Sequence, residues 1–387
     1  MYENKWYTGG MRIKWLDWLS ACMIVAWLAA GYIKIEYFDK TIGYTSIGAF
    51  VIFGLLFYNH VNWIEAIKKK DWKLGLIAVG ITIEVFNIFL SHSGFGVIFN
   101  ITSLFLLLYL GEKVKLPDGC YYLISIVCLV ILVYWIGKGD NGYNTNMAAM
   151  VAMILAAGSM PGVEVWLIKH GKIKFYRYYM LVVAAIALWI AVENRARCVM
   201  IGIGMVYLLN LLIPKKIWKI KNIYRGAFVL LMVIAVLFPI AYVHAWETGA
   251  IPVFVWMGKS SFSGRQIVWS QFFTAFQKEP FTGIGSDILA KIPDVAFSEL
   301  HNGFLHVLVI HGVWIFAIFA FMFFDAFWKK WDLVGENDQI WCNICMITGL
   351  LTVSIFENYV FIPMYSIIWF LLMTRIYKDE DGADENS

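Results

Sequence analysis

The sequence predicts an all-α integral membrane protein with about 12 transmembrane helices. Three observations lead there. Hydrophobic residues make up 61% of the 387 and charged residues only 15%, with a mean hydropathy of +0.70. A soluble fold of this length needs a charged shell that such a composition cannot supply. The apolar residues also fall into blocks near the ~20 residues that cross a bilayer. Between the blocks, Lys and Arg collect in every second connection.

The blocks cover 15–33, 43–59, 73–90, 94–111, 119–137, 147–168, 178–193, 198–213, 226–245, 302–325, 339–356 and 358–375. In hydrocarbon each backbone polar group must be satisfied within its own segment, so these runs are expected to be helices. They are too continuous to alternate as barrel strands. Lys5, Arg12 and Lys14 precede the first block and no small-residue cleavage site follows it, so a retained helix is expected. Counting Lys and Arg with the N-terminus inside gives 22 inner and 9 outer residues of 31. Both termini are therefore expected in the cytoplasm. The net charge of +4 follows from this topology and does not indicate nucleic acid. The tail from Lys378 to Ser387 is acidic and is expected to be a short disordered end.

The third block contains Glu84, with Asn87 about one turn on. An acid at depth costs about 2.5–3.5 kcal/mol on insertion scales, so Glu84 is expected to face the bundle and find a partner. Glu164 and Asp325 lie near inner helix ends, where snorkelling is cheap. Glu193-Asn194-Arg195-Ala196-Arg197 forms the whole outer link between the seventh and eighth blocks. Two guanidiniums there oppose the charge bias. They serve either as interfacial anchors and partners for Glu193, or as an anion site, since the arginine fork matches phosphate oxygens.

The long polar gap, 246–301, is expected to face outward as an extracytoplasmic loop within a single polytopic domain, 1–387. From Arg265 to Gln277 apolar residues recur at helical spacing, which predicts an amphipathic helix on the outer interface or on the bundle. Pro280 stops it and Gly283 and Gly285 turn the chain. No Gly-Lys-Ser/Thr follows, so a nucleotide-type phosphate loop is excluded.

Of seven histidines, His92, His244 and His301 fall on the outer face, and His306 and His311 enter the tenth block. Steps of five residues do not share a helix face, so no metal site is expected, and His306 and His311 are read as packing or inter-helix hydrogen-bonding residues. His301, at the mouth of the helix, has the side chain suited to proton exchange near neutral pH. Cys22, Cys120, Cys128 and Cys198 read as small hydrophobes, and the single pair Cys342 and Cys345 implies neither metal nor redox function.

The ordered run Gly264-Arg265, Trp269, Pro280, Gly283-Ile284-Gly285, His301-Asn302 and Gly312 resembles the core of the O-antigen ligase/polymerase superfamily, over roughly 190–325. That superfamily includes Wzy-type polysaccharide polymerases and WaaL-type ligases. An outward arginine ahead of the loop is typical of it; here Asn-Arg-Ala-Arg stands in place of Ser-Arg, leaving Arg195 and Arg197 as alternatives. The resemblance implies a donor glycan on undecaprenyl diphosphate at the outer leaflet of a bacterial inner membrane. It implies His301 as general base and Arg265 as the residue that stabilises the leaving diphosphate. Arg195, Arg197, Trp269, Gly283, Gly285 and Asn302 are then substrate-binding residues. It further implies inversion at the anomeric carbon, no cofactor or metal, and membrane lipids, a flippase and a chain-length regulator as partners. The polymerase is the default reading. A ligase or related glycan transferase is the alternative, and a transporter reading would lean on Glu84.

Overall fold

A computed structural model describes residues 13–33, 38–91, 94–138, 145–295, 299–328 and 330–376. Lys5, Arg12, His92, Lys329 and the acidic tail lie outside the described residues. Of the described residues, 79% are helical. Its first half comprises α1 (Lys14–Ile33), α2 (Phe38–His60), α3 (Trp63–Lys68), α4 (Trp72–Ser91), α5 (Gly96–Leu110), α6 (Asp118–Lys138), α7 (Thr145–Lys169) and α8 (Tyr176–Glu193). There follow α9 (Arg197–Tyr207), which runs on into a π-helical turn (Leu208–Leu212), α10 (Lys215–Trp218) and α11 (Lys221–Glu247). The loop contributes a hairpin, β1 (Val255–Trp256) and β2 (Lys259–Ser260), then α12 (Arg265–Phe276) and α13 (Ile288–Lys291). The chain closes with α14 (Gly303–Trp328), α15 (Trp331–Glu336), α16 (Asp338–Val353) and α17 (Pro363–Ile376).

Each apolar block contains a helix. Among the described residues, α4, α6, α7, α8, α11 and α14 are long and apolar enough to cross a membrane, and four further apolar helices have 10–17 residues. Buried α7 is the centre of the bundle, because its alanines and glycines let neighbours approach. Gly158 and Gly162 meet Cys128 and Ser125 of α6, where a Cβ would stand 2.6 Å from their side chains. Pro161 interrupts the hydrogen-bond ladder of α7, and Ser125 enters the gap, accepting from Gly162 N–H (2.8 Å) and donating to Gly158 O (3.1 Å).

Polar cross-links sort the connections into two ends. At one end Lys73 reaches Glu112 (2.6 Å) and Asp325 (2.7 Å), Arg225 donates to Trp328 O (3.1 Å), and Lys215 pairs with Asp338. At the other, Gly94 N–H meets Ser286 Oγ (3.0 Å), and residues of the 194–197 link, the long loop and the α16–α17 turn converge. Glu164 is not a snorkelling acid: it is buried, with Arg375 (2.8 Å) and Asn343 (3.1 Å) as partners. Asp325 is likewise tied to Lys73. Glu84 has the partner its depth demands, His311 Nδ1 at 2.8 Å, which also gives His311 its inter-helix bond.

Helix α14 is interrupted. The helix breaks at Gly312 (φ 83, ψ 172), and the loop is spliced into the gap. Val313 N–H donates to Pro280 O (3.0 Å), Ile284 N–H to Val309 O (2.9 Å) and Gly285 N–H to Ile310 O (3.1 Å). Asn87 takes the next carbonyl, that of His311 (3.2 Å). Broken backbone within a membrane survives only where such partners are supplied. Gly283 (φ +74) and Gly312 are obligatory, since a Cβ would lie 2.3 Å from Ile310 O in one case and 2.2 Å from Phe281 O in the other. Gly312→Ala is expected to destabilise the fold by about 2–5 kcal/mol, seen as a large fall in the unfolding temperature of detergent-purified protein.

Candidate active site

The loop begins where α11 ends. Its hairpin turns through Met257 and Gly258, both at positive φ, as a two-residue type I′ turn requires. The 194–197 link grips this hairpin. Helix α8 ends in a Schellman motif, with Ala196 N–H bonded to Ala191 O (2.8 Å) and Arg195 N–H to Val192 O (3.0 Å). Arg195 holds the left-handed position of that motif (φ 50), where glycine is usual, and its exposed side chain lies against Gly258. Arg197, on the first turn of α9, points inward. Its Nη2 donates to Ser260 O (2.9 Å) and its guanidinium stands 5.8 Å from the Trp256 ring. Arg197 lines the cavity beneath the hairpin; Arg195 does not. Chain direction at the end of α8 thus sends the two arginines to different places.

That cavity, about 320 Å³, is also lined by Asn146, Lys259, Arg265 and Trp269. Three cations therefore face one concave site. Burial, and next the charge of Arg197, hold the Lys259 ammonium below its ordinary range, with Arg265 adding to the effect. An excess of positive charge raised in this way is relieved by an anion.

Arg265 follows Gly264, whose left-handed backbone (φ 89) starts α12. Its Nη1 donates to Ser263 Oγ (2.9 Å), Nη2 pairs with Glu357 Oε1, and Nε is buried without a partner. Glu357 lies in the α16–α17 turn with its side chain only 2% exposed. Its other oxygen meets His301 Nδ1 at 3.0 Å, and Asn146 Nδ2 donates to Oε1 (3.1 Å). Burial pushes this carboxyl up, but the His301 hydrogen bond and the Arg265 charge outweigh it, so the group sits below the ordinary carboxylate range. Glu357 is thus an anion at neutral pH that joins the arginine to the histidine.

The backbone at His301 is left-handed (φ 49) and is fixed from both sides. Trp269 Nε1 donates to Leu300 O (2.6 Å). Asn302 is wholly buried and its amide is committed to backbone: Nδ2 to Ala235 O (2.8 Å) and Ile355 O (2.9 Å), Oδ1 from Leu305 N–H (2.8 Å). Ala235 O is the carbonyl that Pro239, lacking an N–H, leaves open in α11. Asn302 therefore docks the start of α14 onto α11, and Trp269 and Asn302 position His301. Gly283 and Gly285 belong to the splice in α14, with the Gly285 N–H and that of Ile284 already engaged.

Residues 180–320 match the family model described as O-antigen ligase. This match, over 141 of the 387 residues, supports membership of the O-antigen ligase/polymerase superfamily. The stretch of O-antigen ligase similarity runs from α8 past the break in α14, so it includes Arg197, Arg265 and His301 and stops short of Glu357. Members of this superfamily are glycosyltransferase-like enzymes. Comparison with the curated proteins and with the solved structures gives no match.

Sequence reasoning missed Glu357, Asn146 and Lys259. A signal for the first existed: Glu357 is the single residue between two apolar blocks, an acid in an outer turn too short to be a solvated loop. Asn146 and Lys259 carried none, being polar residues at segment edges.

Proposed function

We propose that this protein transfers a glycan from a lipid-linked diphosphate to an acceptor hydroxyl at the outer face of a bacterial cell membrane, joining repeat units as a polysaccharide polymerase. The observation that carries the reading is Glu357, which bonds both His301 and Arg265 at the edge of a cavity lined by three cations. With Nδ1 on Glu357, Nε2 of His301 is the atom that takes the acceptor proton. The acceptor oxygen attacks the anomeric carbon, the bond from that carbon to the diphosphate breaks, and the diphosphate keeps the electron pair. Arg265, Arg197 and Lys259 meet the charge that builds on it. Glu357 stabilises the imidazolium formed.

The outward placement rests on 12 crossings with both termini inside, the arrangement that the charge bias favours. The sorting of polar links into two ends supports it, because each group draws on connections expected on one side. Neither ATP nor nucleotide sugars are available outside, so the donor must arrive activated.

Two experiments test this. In a strain lacking the gene, single repeat units on the surface support a polymerase, whereas long chains stranded on carrier lipid indicate a ligase; an unchanged glycan profile rejects both. With purified protein and a lipid-linked repeat unit, Arg197→Ala is expected to slow transfer about 10²-fold or more. Arg195→Ala, at an exposed position outside the cavity, is expected to change it less than about threefold. Equal losses would mean that the anion lies nearer the surface.

A further inference from the structure

The hairpin above the cationic cavity is apolar. From Thr248 to Gly258 the chain carries no charged residue. Ile251, Val253, Phe254, Val255 and Trp256 are all exposed, Val253 and Val255 by 71% and 72%. A short exposed strand edge in water is ordinarily guarded by charge, and a continuous run of open apolar side chains marks an interaction surface. Pro252 adds to this character, since it has no backbone N–H to leave unpaired.

The helices that hold the hairpin set its depth. Trp246, 40% exposed in the last turn of α11, is the residue type that collects at a water–lipid boundary. The hairpin is tied below that level. Tyr242, one turn or about 6 Å back along α11, donates to Ser261 O (2.7 Å), and Ser261 N–H donates to Phe254 O (2.7 Å). Ile201 of α9, itself exposed, lines the same cavity as Ile251, Phe254 and Trp256. The apolar surface of the hairpin therefore continues that of a membrane helix, which favours lipid over a soluble partner as its cover. At the turn, the exposed Arg195 lies against Gly258, within reach of lipid phosphates.

We propose that this hairpin is seated in the membrane, with Val253, Phe254, Val255 and Trp256 in the interfacial layer of the leaflet at the loop end of the bundle and Arg195 at its phosphates. Apolar burial at the head-group boundary holds such a segment, and the water still present there satisfies strand edges that hydrocarbon would not. The seat needs no glycan chemistry and so goes beyond the transferase reading. It keeps Lys259 of the hairpin, and Arg197 bonded to Ser260 O, at the depth of lipid head groups rather than in bulk water.

Full-length protein in nanodiscs of phosphatidylethanolamine and phosphatidylglycerol tests it. Cys22→Ser removes the exposed cysteine, the other five being buried, and Val253→Cys or Val255→Cys then carries an environment-sensitive fluorophore. Its emission should be blue-shifted and lose most of its intensity to lipids brominated high on the acyl chain, with little loss to aqueous iodide. The same label at Lys278, exposed and charged, should do the reverse. On the unaltered protein, hydroxyl radicals generated in the water should spare Trp256, although the protein itself leaves that side chain 43% exposed. Iodide quenching at both hairpin positions, or ready oxidation of Trp256, puts the hairpin in water and overturns the proposal. Protection from iodide and brominated lipid alike also overturns it, because a second copy or another protein then covers the patch.

Discussion

Replacing His301 by alanine is expected to lower glycan transfer about 10²–10⁴-fold with the protein still folded in the membrane. The His301 side chain is half-buried, so its removal leaves no cavity in the apolar core. What is lost is the nitrogen that accepts the proton, so the fall should appear in kcat with little change in KM. Because the residue is held left-handed at φ 49, His301→Gly should be at least as stable as His301→Ala and equally inactive. Normal chain lengths in either variant would sink the assignment of His301 as base. Arginine or lysine at this position should not restore function, since neither exchanges protons at neutral pH.

Glu357→Gln should produce a loss of the same order, about 10²–10⁴-fold, although the residue need not touch substrate. The neutral amide keeps the shape of the side chain but removes the charge that binds Arg265 and stabilises protonated His301. A stability loss of about 1–3 kcal/mol should accompany it, as two charge-assisted hydrogen bonds weaken. The pH dependence separates this role from packing. The folded carboxyl lies below its usual 4.5, so its contribution to stability is complete above that value and disappears as pH falls through the lower folded value. Unfolding temperatures recorded from about pH 6 down to about pH 3 should therefore fall more steeply for the wild type than for Glu357→Gln. Parallel curves would mean that Glu357 is not the anion joining the two residues.

How much of this was legible in the sequence depended on distance along the chain. Helices announce themselves locally, through apolar blocks and breakers, and every block contains one. Helix α12 also began at Arg265 as its periodicity required. The link from Arg265 to Glu357 crosses 92 residues and the link from Glu84 to His311 crosses 227. No local pattern encodes either. Glu84 announced only that it needed a partner, because an isolated buried carboxylate is too costly. The glycines mark turns locally but not a splice, since the break at Gly312 lies in an otherwise apolar helix. The tie of Asn302 to the carbonyl that Pro239 leaves open likewise crosses 67 residues and has no local signal.

The spliced helix has a consequence for biogenesis. Segment 280–285 leaves the ribosome before Gly312, and the Val309 and Ile310 carbonyls and the Val313 N–H bond to it instead of along the helix. Unpaired groups in lipid cost several kcal/mol each, so α14 can open at Gly312 only as that segment docks into the gap. The break in this helix and the folding of the loop must then form in one cooperative event. His301, two residues ahead of α14, lies on the chain between the two sides of that splice. Closing the splice therefore closes a loop of chain through His301, so its register is set together with the break in the helix.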